Sequence, residues 1–156
     1  MKKNTKGKLQ ISSSVFENEG EIPAKYTCDG AGVNPPLKIT NIPEGTKTLA
    51  LISEDPDAPK GTYDHWLVWN IPPEGIVEEN RMPGISGTNS SGKTGYHPPC
   101  PPDKRHRYFF YVYALDSSLE ILAGSDKKTL KKAMEGHILA EGSLMGTYDL
   151  EKRRKK

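Results

Sequence analysis

Cysteine is nearly absent from this chain: Cys28 and Cys100 are the only two. Two thiols cannot build a Cys-only metal site or a disulfide-dense scaffold. They leave either one disulfide or two free thiols, and free thiols are the default in a reducing cytosol. Long apolar runs are missing too. No stretch approaches the ~18 residues that a transmembrane helix needs, so no membrane span is expected. The basic start Met1-Lys2-Lys3 is followed by no apolar stretch of leader length, which makes a cytoplasmic location the expectation. An excess of one charge is also lacking. The 22 Lys and Arg nearly balance the 20 Asp and Glu, for a net +2. That balance calls for neither nucleic acid nor a membrane surface as partner. The chain carries no His-Glu-x-x-His, no EF-hand loop, no Gly-x-Ser-x-Gly elbow and no phosphate-cradling P-loop. No cofactor is implied.

What is present is punctuation. Thirteen prolines and fifteen glycines in 156 residues favour short strands joined by turns. The length suits one domain, residues 1–150, which would bury roughly 68–70% of its unfolded surface. Residues 151–156, a basic tail from Glu151 to Lys156, read as a disordered end. Residues 47–54 are apolar on both faces and predict an interior strand. Residues 65–71 predict a second strand and residues 106–115 a third, rich in aromatic and β-branched side chains. Weaker strands are expected near 8–16, 37–40 and 143–149. The proline-rich stretch from Gly95 to Arg105 must be loop. One helix is predicted over 126–138, where Leu130, Ala133, Met134, His137 and Ile138 recur at helical spacing. Ser125 is its expected N-cap. Its lysines, at 127, 128, 131 and 132, read as a solvated face, and His137 as a packed, hydrogen-bonded histidine.

Chemistry is concentrated in a few polar residues at strand ends. Alternation puts His106 and Tyr108 on one face of their strand, ~7 Å apart at ~3.4 Å per residue. It puts His65 on the face of Leu67 and Trp69, and Asp55 at the end of a third strand. If these strands are neighbours, a carboxylate, two imidazoles and a phenol meet at one rim. A metal site would need ligands from Asp55, Asp57, Asp64, His65 and His106. Proline and turn neighbours limit how far those acids converge, so no metal is expected. Cys100 lies near His97 and His106 as a conceivable nucleophile, but prolines flank it and no activating motif accompanies it.

The ordered set of segments is more specific than any one of them. It comprises Ile22-Pro-Ala-Lys-Tyr-Thr-Cys-Asp-Gly30, Asn34-Pro-Pro-Leu37, Asp55-Pro-Asp-Ala-Pro59 and His65-Trp66. It continues with Gly92-Lys-Thr-Gly-Tyr96, Pro101-Pro102, His106-Arg-Tyr-Phe-Phe110, and Gly136-His-Ile-Leu-Ala-Glu141 through Gly146-Thr-Tyr148. This pattern, from about residue 12 to residue 150, resembles the phosphatidylethanolamine-binding protein family, also called the Raf kinase inhibitor protein family, and within it the short prokaryotic YbhB/YbcL-like branch. The resemblance implies a mainly β fold: an antiparallel Greek-key β-sandwich with one or two short helices. It also implies a small anion pocket. Family pocket positions carry over to Asp55, Pro59, His65, His106 and Tyr108, and the glycine-containing loop before the His-Arg-Tyr motif carries over to Gly95 to Pro99, with Gly95 and Tyr96 its expected ligand-binding residues. Two departures stand out. Pro98 replaces a common glycine, removing a backbone N–H, and the chain ends soon after Tyr148, where longer relatives have a pocket-bordering helix. The family also places Cys28 and Cys100 in loops near the pocket end.

The expected function is a non-enzymatic binding protein for phosphate-bearing small molecules, lipid head groups or phosphorylated partners, with a kinase or protease as a candidate target and a homodimer allowed. The alternative is an enzyme using His65 and His106 as acid and base. In both, Asp55 beside His65 is expected to favour the imidazolium.

Overall fold

A computed structural model describes residues 7–149; the tail 151–156 lies outside them. The elements are β1 (Gly7–Lys8), β2 (Gln10–Ser12), β3 (Gly20–Glu21), a 3-10 turn (Ala24–Tyr26), β4 (Leu37–Thr40), β5 (Thr48–Asp55) and β6 (Tyr63–Ile71). After these come β7 (Ile76–Val77), β8 (Ile85–Ser86), β9 (His106–Leu115), α1 (Lys127–Met134) and β10 (Ile138–Tyr148). One sheet runs β1-β10-β9-β5-β6-β8, with β3 also on β10; a second runs β2-β4-β7. The order β9-β5-β6-β8 is a Greek key, interrupted only where β7 crosses to the second sheet. The sheets are antiparallel except that β1 and β3 lie parallel to β10.

The large sheet is covered on both faces, which is why its central strands are apolar on both. One face packs Leu49, Leu51, Trp66, Val68, Phe110 and Val112 against Ile11, Leu37, Ile39 and Val77 of the small sheet. The other packs Ala50, Ile52, Leu67, Trp69 and Leu115 against Leu130 and Met134 of α1. Truncating a large aromatic in either layer would cost roughly 3–5 kcal/mol.

The helix departs from expectation at both ends. Asp126, not Ser125, is the N-cap: its carboxylate accepts from the Thr129 N–H at 2.9 Å. A carboxylate also suits the positive end of the helix dipole. The helix stops at Met134, because Gly136 turns the chain with φ +81° and Ile138 already belongs to β10. His137 and Ile138 therefore continued the helical spacing without belonging to the helix. Lys127 is not part of a solvated face; its Nζ meets Glu54 at 2.9 Å and Asp64 at 2.7 Å. His137 is hydrogen-bonded to Asp116 at 2.8 Å, but its side chain is 45% exposed rather than packed.

Cys28 and Cys100 form a disulfide, so free thiols were the wrong default. The segments they sit in also meet through the backbone, with the Cys28 N–H donating to the Pro99 carbonyl at 3.0 Å. With its sulfur bonded, Cys100 offers no thiolate nucleophile.

Candidate functional site

Antiparallel pairing sets the C-terminal end of β5 beside the N-terminal ends of β6 and β9. Asp55, Tyr63 and His106 therefore share one rim. The β5–β6 register changes here: Ser53 pairs with Trp66, but Glu54 pairs with Asp64. His65 is the extra residue of a β-bulge. A bulge re-aims the side chains on its strand, and here it overturns the alternation that placed His65 with Leu67 and Trp69. Those two face α1, whereas His65 turns to the other side and joins Asp55, His106 and Tyr108.

Together they line a cavity of about 270 Å³, walled also by Ala58, Pro59, Tyr63, His97, Cys100, Pro101 and Pro102. Of the residues expected from sequence, Asp55, Pro59, His65, His106 and Tyr108 meet here, and Gly95 and Tyr96 do not. Tyr96 turns inward, its hydroxyl donating to the Tyr26 carbonyl at 2.9 Å and its ring edge-on to Trp66. Gly95 is a turn residue with φ +95°, its N–H donating to the Ser86 hydroxyl. Pro98 packs on Gly32 and stays off the cavity wall. Its missing N–H therefore removes no donor from the lining.

Asp55 is buried at 3% exposure, not an open strand end. Its Oδ1 accepts from the Asp57 N–H at 2.8 Å, and its Oδ2 meets His106 Nδ1 at 2.6 Å. The other imidazole nitrogen, Nε2, meets Asp103 Oδ1 at 2.7 Å. Burial alone would disfavour charge on His106, but the bonds to Asp55 and then Asp103 outweigh it and raise its pKa. With a carboxylate oxygen against each ring nitrogen, the geometry suits an imidazolium donating from both. Burial pushes the Asp55 carboxyl up, against the opposing pull of His106 and the Asp57 amide.

The carboxylate thus serves His106, not His65. His65 Nδ1 lies 2.6 Å from the His97 carbonyl, which can only accept, so Nδ1 carries the proton and Nε2 keeps its lone pair. Burial drives the His65 pKa down to about 4; the bond to the His97 carbonyl opposes it, and the nearby His97 and His106 rings add to the fall. His65 is neutral near pH 7, contrary to the expected imidazolium. Its ring is caged by Tyr63 at 4.9 Å, Tyr108 at 5.4 Å and His97 at 5.5 Å. Burial, reinforced by Asp55, raises Tyr108 and keeps its hydroxyl protonated.

The remaining acids serve as ties. Asp57 takes Arg107 bidentately at 2.9 Å and also accepts the Arg107 N–H. That arginine holds the Asp57 carboxyl down at about 2 and fastens the β5–β6 loop to β9. Asp64 belongs to Lys127 on the opposite face. Among the described residues, no group of three or more His, Cys, Asp or Glu is arranged to hold a metal ion.

Asp103 and Tyr63 are the site residues that sequence reasoning missed; His97 lay inside the expected pocket loop but was not singled out as a ligand-binding residue. Asp103 stands three residues before His106 in a proline-rich loop, and that spacing was the only available signal. His97 contributes both its carbonyl, which holds His65 Nδ1, and its ring, which packs on Tyr63 and His65.

Fold and site together define a class: a two-sheet β-sandwich with a small histidine-lined cavity at the rim of its larger sheet. The family model described as "Phosphatidylethanolamine-binding protein" matches residues 12–149, and the chain belongs to that family. A UPF0098 protein of Pyrococcus horikoshii is 48% identical over 148 residues, covering 88% of this chain and 75% of the relative. One from Chlamydia muridarum is 47% identical, covering 90% and 99%. The crystal structure of a phosphatidylethanolamine-binding protein homolog from Chlamydia trachomatis superposes with a TM-score of 0.88 at 44% identity, over 91% of this chain and 97% of that one. YbcL of E. coli, at 24% identity and a TM-score of 0.84, shares the fold. No helix among the described residues is long and apolar enough to cross a membrane.

Proposed function

We propose that the chain is a binding protein whose rim cavity takes a small phosphate-bearing group, with His106 as its central donor. One observation carries this reading: His106 is buried with Asp55 fixed on one ring nitrogen, and its other nitrogen already meets a carboxylate oxygen, that of Asp103. A phosphate oxygen is a chemically similar acceptor, and charge-assisted bonds of this kind are the strong ones. The protonated Tyr108 hydroxyl is a further donor on the wall. A volume near 270 Å³ falls below the ~300–1,000 Å³ typical of drug-sized sites, which fits a head group and not a long chain. The relative titled as a phosphatidylethanolamine-binding protein homolog points the same way.

The acid/base alternative is weaker. Both nitrogens of His106 are engaged by carboxylates. His65, with a pKa of about 4, is a poor base near pH 7. A cytoplasmic location remains part of the proposal. Fractionation of intact cells tests it: recovery of the protein with the cytosolic contents supports that location, and recovery outside them rejects it.

Binding is tested by calorimetric titration of phosphoethanolamine at about pH 6. Wild type binds, and His106→Ala weakens binding at least about tenfold, as expected for losing one charged hydrogen bond. Equal affinity in the two proteins, with the variant shown to be folded by its melting curve, rejects the reading.

A further inference from the structure

We propose that Asp103, which stands outside the cavity lining but on His106, is a tethered carboxylate that an incoming anion must displace from that ring. This inference rests on the anion-binding reading above. The two carboxylates on His106 differ in kind. Asp55 is buried, its side chain 4% exposed, and its other oxygen is tied to the backbone of its own turn. Asp103 has a side chain 47% exposed and belongs to no strand or helix. Besides His106, its partners among the described residues are local: the Lys104 N–H at 2.8 Å and its own backbone amide. Asp55 is therefore scaffold, whereas Asp103 can leave by rotating its side chain into water.

The position it occupies is the informative one. His106 has two donors, and Asp55 consumes the inner one. The outer one, Nε2, is the only donor of this imidazolium left for a ligand, and Asp103 sits on it at 2.7 Å. With Asp103 in place, Asp55, His106 and Asp103 carry one positive and two negative charges, which repels an approaching anion. When Asp103 swings out, its charge moves into solvent and is screened, and His106 presents a free N–H. The loop is also anchored for this task. The Cys28–Cys100 disulfide and the Cys28 to Pro99 backbone bond fix its root. The Pro101-Pro102 wall stiffens the approach. Asp103 is thus held within reach of His106 at high effective concentration. Weak monoanions compete poorly against such a neighbour, whereas a phosphate dianion forms the stronger bond.

The test titrates inorganic phosphate into wild type, Asp103→Asn and Asp103→Ala at about pH 7.5, where the dianion predominates, and follows the His106 ring protons by NMR across pH without ligand. Asp103 is exposed, so both variants should fold; melting curves and the absence of free thiols verify this. The inference predicts phosphate binding about tenfold tighter in both variants, the value of one partly exposed charged hydrogen bond. It also predicts a lower His106 titration midpoint than in wild type. Equal phosphate affinity in all three proteins overturns the inference and leaves the binding reading standing. An unchanged His106 midpoint overturns it as well, since Asp103 would then not hold that nitrogen. No binding in any of the three overturns both.

Discussion

Stability should peak near pH 6.5, with the two rim histidines responsible for opposite limbs. His65 has a folded pKa of about 4 against an ordinary value near ~6.5. Above pH 6.5 it is neutral in both states and contributes no pH dependence. Below it the unfolded chain gains a proton that the folded chain refuses, so stability falls until about pH 4. A gap of roughly 2.5 units is worth about 3 kcal/mol, and more than half of that is lost by pH 5. For a chain of this size that corresponds to roughly 6–12 °C in Tm. His97 is also depressed by burial, and secondarily by Lys93, so it adds in the same direction. His106 has the opposite sign. Its folded pKa is raised by Asp55 and Asp103 against burial. The stability it contributes is fully present below pH 6.5 and is lost as pH rises through its folded pKa. The assay is urea denaturation at half-unit steps from pH 4.5 to 8.5. His65→Gln should flatten most of the acid limb and leave the alkaline one. An acid limb between pH 6.5 and 5 that survives unchanged in His65→Gln would refute the reasoning, because carboxylates with ordinary pKa values titrate mainly below that window.

Two further outcomes are expected. His106→Ala leaves Asp55 buried with only the Asp57 amide as partner and should cost about 3 kcal/mol at pH 7, the low end for breaking a buried pair; urea unfolding measures it, and a loss under 1 kcal/mol would contradict the pairing. Cys28→Ser with Cys100→Ser opens a bridge spanning a separation of 72 residues and should cost roughly 4 kcal/mol; thermal denaturation of that variant beside oxidised wild type reads it, and matching midpoints would contradict it.

The central strands were legible in the sequence because the large sheet is covered on both sides. Residues 47–54 and 106–115 showed apolar character on both faces for that physical reason, and β5 and β9 occupy nearly those ranges. The meeting of Asp55, His65, His106 and Tyr108 at one rim followed from strand ends and antiparallel neighbours. The face of His65 did not follow, because strict alternation has no way to announce a bulge. The pairing of carboxylate with imidazole also went astray. Asp55 is close to His65 in sequence, but register across β5 and β9 delivers it to His106. Short edge strands such as β3, β7 and β8 carry two residues each, too few for any periodicity. Tyr96 looked like a pocket residue through its motif, yet its hydroxyl is used to hold the Tyr26 backbone.

The most direct test of the account is a high-resolution crystal structure of the protein soaked in phosphoethanolamine. The account predicts a phosphate oxygen within hydrogen-bond distance of His106 Nε2, with Asp103 rotated away and Asp55 still on Nδ1. A phosphate bound elsewhere, or Asp103 still seated on His106 at saturating ligand, would contradict it.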